Sequence, residues 1–341
     1  PRGRPSAILS VKKARMGFEM AMSELSLVLF TTIAPSGAVA VALMVVCALL
    51  ASKNARRSKE GIAASSDDGA GGAGVALSAP SEAVPGERSI RTRIDQRLWP
   101  PIVISLVGLV ASSTHLGNPA NALYVLLGVG SSPLSNEVAA AVVFLGLSGM
   151  YWLLSFSRRG FWGVRTAMAC LIVLASAVFV TAVAFAYDTV TVPTWHTPYV
   201  PAGLWATALC GGPLLALATM RWACPRCLPK KLQSSFAVLS AAGLVGGVVM
   251  HLLQYRVLLD AENALASGIE LVPQYLPMVA AFAVLSLVGW CLVVLPLASG
   301  KRPEEGAPSA RFVVRNFAGC FFVFAGIFIV RFAFYMMHLT V

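Results

Sequence analysis

The sequence predicts an all-α polytopic membrane protein, a bundle of about eight transmembrane helices, and three observations carry that expectation. Hydrophobic residues make up 57% of the 341 residues and charged residues only 12%, which leaves too little polar surface to solvate a globular domain. The apolar residues fall into runs of about twenty or more, the length a helix needs to cross the hydrocarbon core. The lysines and arginines gather in alternate connections between those runs, as the positive-inside rule expects. Backbone groups in lipid must bond internally, so such runs imply helices and not open sheet.

The runs lie near 25–50, 99–117, 135–156, 164–187, 201–221, 235–256, 275–299 and 311–338. The first is too long for the apolar core of a cleavable signal peptide and is expected to act as an uncleaved signal. Arg56, Arg57, Lys59, Arg91 and Arg93 fall between runs one and two, and Arg158, Arg159 and Arg165 between three and four. Arg226, Lys230 and Lys231 fall between five and six, and Lys301, Arg302 and Arg311 between seven and eight. Those connections are expected to be cytoplasmic. Segments 118–134 and 188–200 hold no lysine or arginine, and 257–274 holds none beyond the flanking Arg256. Both termini are therefore expected to be extracytoplasmic, and the net charge of +11 reports orientation rather than nucleic-acid binding. Arg2, Arg4, Lys12, Lys13 and Arg15 run against this orientation. A natural start at Met16 or Met22, or a fragmentary sequence, would reconcile them.

Four regions follow. Residues 1–24 read as an N-terminal tail and 25–50 as the first transmembrane helix. Residues 51–98 read as a flexible cytoplasmic linker, rich in Gly, Ala and Ser from Ala63 to Gly74, and 99–341 as the seven-helix remainder. No internal repeat and no matched pair of Gly- or Pro-broken helices is evident, which counts against an inverted-repeat transporter. Cys47, Cys170, Cys210, Cys291 and Cys320 lie in apolar runs and read as small packing residues. Cys224 and Cys227 form a Cys-Pro-Arg-Cys unit that is half of a zinc or iron-sulfur ligand set, with no second pair at ligand spacing, so no metal site is expected.

The uncharged connections carry the candidate chemistry and read as a docking face. Thr114-His115-Leu116-Gly117-Asn118-Pro119 closes the second run, with Gly117 as a helix stop and Pro119 preventing continuation. The third run opens at Ser131-Ser132-Pro133-Leu134-Ser135-Asn136-Glu137, where Ser135 or Asn136 suits a cap and Glu137 falls in the first turn. An ionisable group at bilayer depth is a functional candidate by default, although Glu137 also reads as a helix end finished in headgroup-level water. One short connection separates His115 from Glu137, so both can line one pocket. Oxidising a quinol releases two protons and two electrons, and an imidazole and a carboxylate are suitable acceptors for the protons. Arg331, Tyr335 and His338 are spaced four and three residues apart and share a face of the last helix. Arg331 either pairs with Glu137 or snorkels to the interface beside an aromatic belt. His196, beside Trp195, reads as a surface or docking residue; His251 is open, and two-histidine haem ligation stays open with it.

These segments resemble the DmsC family, the membrane anchor subunits of bacterial DMSO reductase and related molybdoenzymes. The resemblance rests on Ser23-Glu24-Leu25 with Phe30-Thr31, His115-Leu116-Gly117-Asn118-Pro119 and Leu134-Ser135-Asn136-Glu137. It continues through Asp188 to Trp195, Gly211-Gly212-Pro213-Leu214-Leu215, Leu271-Val272-Pro273-Gln274-Tyr275 and the Arg331 to Thr340 segment. It covers nearly the whole sequence except 1–22 and 52–98. It implies an eight-helix, haem-free subunit of the bacterial cytoplasmic membrane that oxidises menaquinol. It further implies an iron-sulfur electron-transfer subunit and a molybdopterin catalytic subunit as partners, which carry the clusters and the pterin. By motif, His115 and Glu137 are implicated in the quinol site, with Arg331, Tyr335 and His338 extending it. Asn118, Pro119, Pro193, Thr194 and Trp195 are then expected to dock the partner. The family usually has a histidine where this protein has Ser23, which leaves any role for Glu24 in question. The alternatives are a proton-coupled transporter, a purely structural anchor, and an anchor of another molybdoenzyme such as a polysulfide-reductase-like complex.

Overall fold

The computed structural model describes residues 4–67, 87–114, 119–157, 162–224, 228–262, 266–298 and 309–339. Its helices are α1 (Arg4–Ser23), α2 (Leu25–Asp67), α3 (Glu87–Gln96), α4 (Trp99–Ser113), α5 (Pro133–Leu154) and α6 (Trp162–Ala186). These are followed by α7 (Tyr199–Ala223), α8 (Lys230–Asp260), the single turn α9 (Gly268–Leu271), α10 (Tyr275–Ala298) and α11 (Ala310–Met336). A 3-10 helix, Pro119–Gly128, joins α4 to α5. Among the described residues there is no strand beyond an isolated bridge between Glu262 and Ser267. Among the described residues eight segments are long and apolar enough to cross a membrane, one for each predicted run. The protein is a multi-pass membrane helix bundle.

Helices α2 and α7 form the centre. Helix α2 packs on α4, α6 and α7; α8 lies on α7, α11 on α10, and α5 on α6. Without a hydrophobic force between helices in lipid, close approach depends on small residues. A side chain at Gly289 would run into the carbonyl of Gly319, and one at Gly212 would lie 2.6 Å from the Val39 side chain. Pro35 and Pro213 interrupt the ladders of the two central helices. Hydroxyls from neighbouring helices bond to carbonyls close before each proline: Ser105 donates to Ala34 O at 3.1 Å and Ser240 to Cys210 O at 2.6 Å.

Three boundaries differ from those expected. Helix α2 continues to Asp67, and Glu87–Gln96 is helical, so the anticipated linker 51–98 is structured at both ends. The inner end is held because α3 is amphipathic: Ile94 and Leu98 enter the core, and Arg91 and Asp95 are buried. Pro100 and Pro101 then start α4 at its first positions, where no donor is lost. Second, residues 4–23 are a helix lying on α11 and α9 rather than a tail. Phe18 meets Phe332 with ring centroids 5.5 Å apart, and the unexpected cations are partly answered by Lys13–Glu270 and Arg15–Glu19 contacts, each 2.7 Å. Third, the cap of α5 is Ser132, whose side chain accepts from Ser135 N at 3.5 Å, and not Ser135 or Asn136. Asn136 instead accepts from the amide of Gly130, which takes the left-handed φ of +90°. Glu137 consequently sits past the first turn of α5, and residues 115–118, with the expected helix stop Gly117, lie outside the described residues.

Candidate functional site

Alternating helix directions bring the start of α2, the start of α5, the end of α6 and the end of α11 to one end of the bundle. A cavity of about 270 Å³ opens there. Its walls are Met20 and Ser23 of α1, Glu24 at the α1–α2 junction, Tyr187 and Trp195 of the α6–α7 connection, and Tyr335 and His338 at the end of α11. Glu24 and His338 on one cavity place the start of α2 and the end of α11 on the same side of the bundle, as an even number of spans requires.

The connection from 188 to 198 is held by side chains. Thr194 donates to Met337 O at 2.5 Å, and Trp195 Nε1 donates to Phe334 O at 3.1 Å. Gln254 clamps both ends of the turn, donating to Thr194 O at 2.6 Å and accepting from Thr197 at 2.8 Å. The Trp195 ring stacks on Phe334 and on His338, each at 4.7 Å between centroids. Thr194 is fully buried and so forms no part of the anticipated docking face, while the half-buried Trp195 is turned toward α11 with its ring at the rim of the cavity. Their hydrogen bonds inward to α11 and α8 are the physical reason. Pro193 is exposed. His115 and Asn118 lie outside the described residues, as does the side chain of Pro119.

Behind the cavity lies the polar centre. Glu137 is 1% exposed, and neither carboxylate oxygen has a hydrogen-bond partner. Such burial excludes the reading in which Glu137 finishes a helix end in water. Arg331, buried on α11, is the cation that acts on it, but the two form no direct ion pair, contrary to the expectation. The Arg331 guanidinium is held elsewhere: Nε donates to Thr31 Oγ1 at 3.1 Å, and the group lies over the Phe334 ring at 4.4 Å, which excludes snorkelling. Arg331 Nη2 and the Tyr335 hydroxyl are buried without hydrogen-bond partners. Tyr187 packs edge-on to Tyr335 with centroids 5.7 Å apart, and both tyrosines feel Glu137 and Arg331.

Two groups at the mouth have defined protonation. Burial, reinforced by Tyr335 and the Glu137 carboxylate, holds the Tyr187 phenol well above its usual value, so it is a hydrogen-bond donor at neutral pH. Half-burial holds the His338 imidazole below its usual value, against the opposing pull of Glu24, so it is neutral and able to accept. His251 and Tyr275, both buried, pair at 3.1 Å within reach of the Arg331 charge. Arg331 and Tyr335 thus share a centre with Glu137, whereas His338, beyond the end of α11, lies at the rim of the cavity against Trp195. Sequence reasoning passed over Thr31, Tyr187 and the cavity-lining Glu24. Ser23-Glu24 and Phe30-Thr31 had signalled two of these by resemblance, whereas nothing marked Tyr187 as different from other boundary aromatics.

At the opposite end, Asp95 accepts from Tyr151 at 3.0 Å and from Arg165, with Arg91 Nε 3.5 Å away. Arg221 donates to Gln233 at 3.0 Å, Val293 O at 2.6 Å and Asn316 at 2.9 Å. This arginine-rich end matches the connections expected to be cytoplasmic. Cys224 is buried there; its sequence partner Cys227 lies outside the described residues.

A sequence model of the DMSO reductase anchor subunit (DmsC) family matches residues 86–337. The protein is 31% identical over 245 residues to the C subunit of the anaerobic dimethyl sulfoxide reductase of Escherichia coli (strain K12), an alignment that covers 72% of this sequence and 80% of that one. It is 29% identical over 235 residues to the anaerobic dimethyl sulfoxide reductase subunit YnfH of the same organism, covering 69% and 78%. The corresponding C subunit of Haemophilus influenzae is 29% identical over 217 residues, covering 59% of this sequence and 72% of its own.

Proposed function

We propose that this protein, which belongs to the DMSO reductase anchor subunit (DmsC) family, binds and oxidises menaquinol in the cavity and passes the electrons to an iron-sulfur partner subunit. The family gives it a membrane anchor role in a DMSO reductase complex. The quinol site, the partner subunits with their clusters and molybdopterin, the bacterial cytoplasmic membrane and the extracytoplasmic placement of the cavity end are our reading. The observation that carries it is the buried Glu137 carboxylate with no hydrogen bond to either oxygen, set behind a cavity whose rim holds a phenol donor and a neutral imidazole. A buried polar group left unmade costs about 1–3 kcal/mol, which a purely structural anchor has no reason to retain.

In this reading the quinol ring lies against Trp195, with Tyr187 and Tyr335 donating to its oxygens and His338 accepting from a hydroxyl. Glu137, positioned electrostatically by Arg331, takes one proton; His115, by motif, and the rim groups take the other. Quinol gives quinone, two protons and two electrons, and the electrons leave to the partner docked at this end. The exposed Pro193, with Asn118 and Pro119, belongs to that docking surface. The test uses the assembled complex. Glu137→Gln and His115→Arg should leave assembly and dye-driven reduction of the acceptor intact while menaquinol-driven reduction falls by roughly a hundredfold or more, the usual worth of a proton acceptor. Unchanged menaquinol-driven turnover in both variants refutes the site.

A further inference from the structure

A second, larger cavity of about 530 Å³ lies on the other face of the α6–α7 connection. Its apolar walls are Phe185 of α6 and Pro201 and Trp205 of α7, and Phe185 is exposed on the outside of the bundle. Its polar rim is Asp188 and His196, with Asp188 Oδ1 and His196 Nδ1 2.7 Å apart. The remaining hydroxyl, that of Thr197, is already committed to Gln254. Facing a carboxylate oxygen, Nδ1 is the ring nitrogen placed to donate, and in that tautomer of the neutral ring Nε2 is an oriented acceptor.

Charge decides the class of ligand. No lysine or arginine occurs in segment 188–200, and none lines the cavity. A phosphate headgroup would meet the Asp188 carboxylate with no cation to offset it. An uncharged aromatic ring carrying a hydroxyl suits the walls and donates to Nε2. The connection also joins the two cavities: Tyr187 and Trp195 line the inner one, and their sequence neighbours Asp188 and His196 line the outer.

We propose that the outer cavity is a second binding site for a neutral hydroquinone, held through its hydroxyl by His196 Nε2 and placed to feed the inner cavity. The proposal rests on the reading that this protein handles quinol. The experiment measures equilibrium binding of 2-methyl-1,4-naphthohydroquinone, kept reduced under anaerobic conditions, to the complex in nanodiscs of neutral lipid. Two equivalents per anchor subunit are expected in the wild type and one in His196→Leu, with the second restored by His196→Gln, whose amide oxygen replaces the acceptor. The oxidised naphthoquinone, which has no hydroxyl to donate, should bind the outer site at least tenfold more weakly. Two undiminished equivalents in His196→Leu, or displacement of the second equivalent by phosphatidylglycerol, overturns the proposal. Failure of the quinol reading looks different: naphthohydroquinone then drives no acceptor reduction in the wild type, whatever the number of equivalents bound.

Discussion

Helix α5 carries or contacts two buried carboxylates whose removal should have opposite consequences. Glu137 lies near its start, and Asp95 is bonded to Tyr151 near its end, about 21 Å along the axis. Asp95 is bonded by Tyr151 and Arg165 and lies beside Arg91, all of them buried. Asp95→Ala leaves two buried guanidinium groups without that carboxylate, and breaking a buried pair in this way costs about 3–5 kcal/mol. Glu137 accepts no hydrogen bond. Glu137→Leu therefore removes an uncompensated desolvation of about 1–3 kcal/mol, offset in part by the loss of its field at Arg331. Stability is read as the denaturant or heat needed to lose the folded, monodisperse complex in detergent, and function as menaquinol-driven against dye-driven acceptor reduction. The expected pattern is an unstable Asp95→Ala whose folded fraction turns over quinol normally, and a Glu137→Leu at least as stable as the wild type that does not. If Glu137→Leu is the less stable of the two, the carboxylate is structural and the energetic argument for the site collapses.

Tyr335→Phe removes a hydroxyl that lies beside Tyr187 and Thr31 without a well-formed hydrogen bond, so stability should change by less than about 1 kcal/mol while menaquinol turnover drops; equal turnover in both proteins would exclude that hydroxyl from the reaction. His338 is neutral because half-burial lowers its value, so its acceptor role should persist through neutral pH and disappear as the medium is acidified past the ordinary histidine value. His338→Gln should flatten that acid limb of the menaquinol rate, and an unaltered limb would assign it to another group. Glu270 is held below the usual carboxylate range, first by the hydrogen bond from Lys13, so the contact that fastens α1 is present above that range and lost as pH falls through the lowered value. Glu270→Gln should make α1 more susceptible to limited proteolysis at neutral pH, to a degree the wild type reaches only in acid; equal cleavage of both at neutral pH would show that Phe18 and its neighbours suffice.

The spans were legible because their signal is repeated about twenty times in each helix: lipid tolerates no other reading of such runs. The α3 segment and the residues that follow it were not, since four buried positions, Arg91, Ile94, Asp95 and Leu98, are interspersed with the polar Thr92, Arg93, Gln96 and Arg97 and two of the four are charged. Glu137, Arg331, Tyr335 and His338 were legible as ionisable or polar groups in apolar surroundings. Their partners were not. Pairing Arg331 with Glu137 was the simplest electrostatic guess, but the guanidinium is held through Nε by a threonine three hundred residues earlier and by the Phe334 ring, a long-range arrangement that no local spacing encodes. Trp195 misled for a related reason. A tryptophan in an uncharged loop looks like surface, and only the hydrogen bond to Phe334 O turns it inward.

The two ends of the bundle show what the fold does with buried polarity. At the arginine-rich end, Arg221 meets Gln233, Asn316 and a carbonyl, and Asp95 meets a tyrosine and arginines. At the cavity end, Glu137, Arg331 and His251 each keep a buried atom without a hydrogen bond, and the Tyr335 hydroxyl beside them makes no well-formed one. At about 1–3 kcal/mol for each such group, four of them approach the whole margin of a typical fold. At the other end the buried Arg221 guanidinium and Asp95 carboxylate both find partners, whereas neither oxygen of Glu137 does. On the proposed quinol reading these groups complete their hydrogen bonds in the working state, when a hydroxylic ligand in the cavity would supply donors and acceptors to those nearest it.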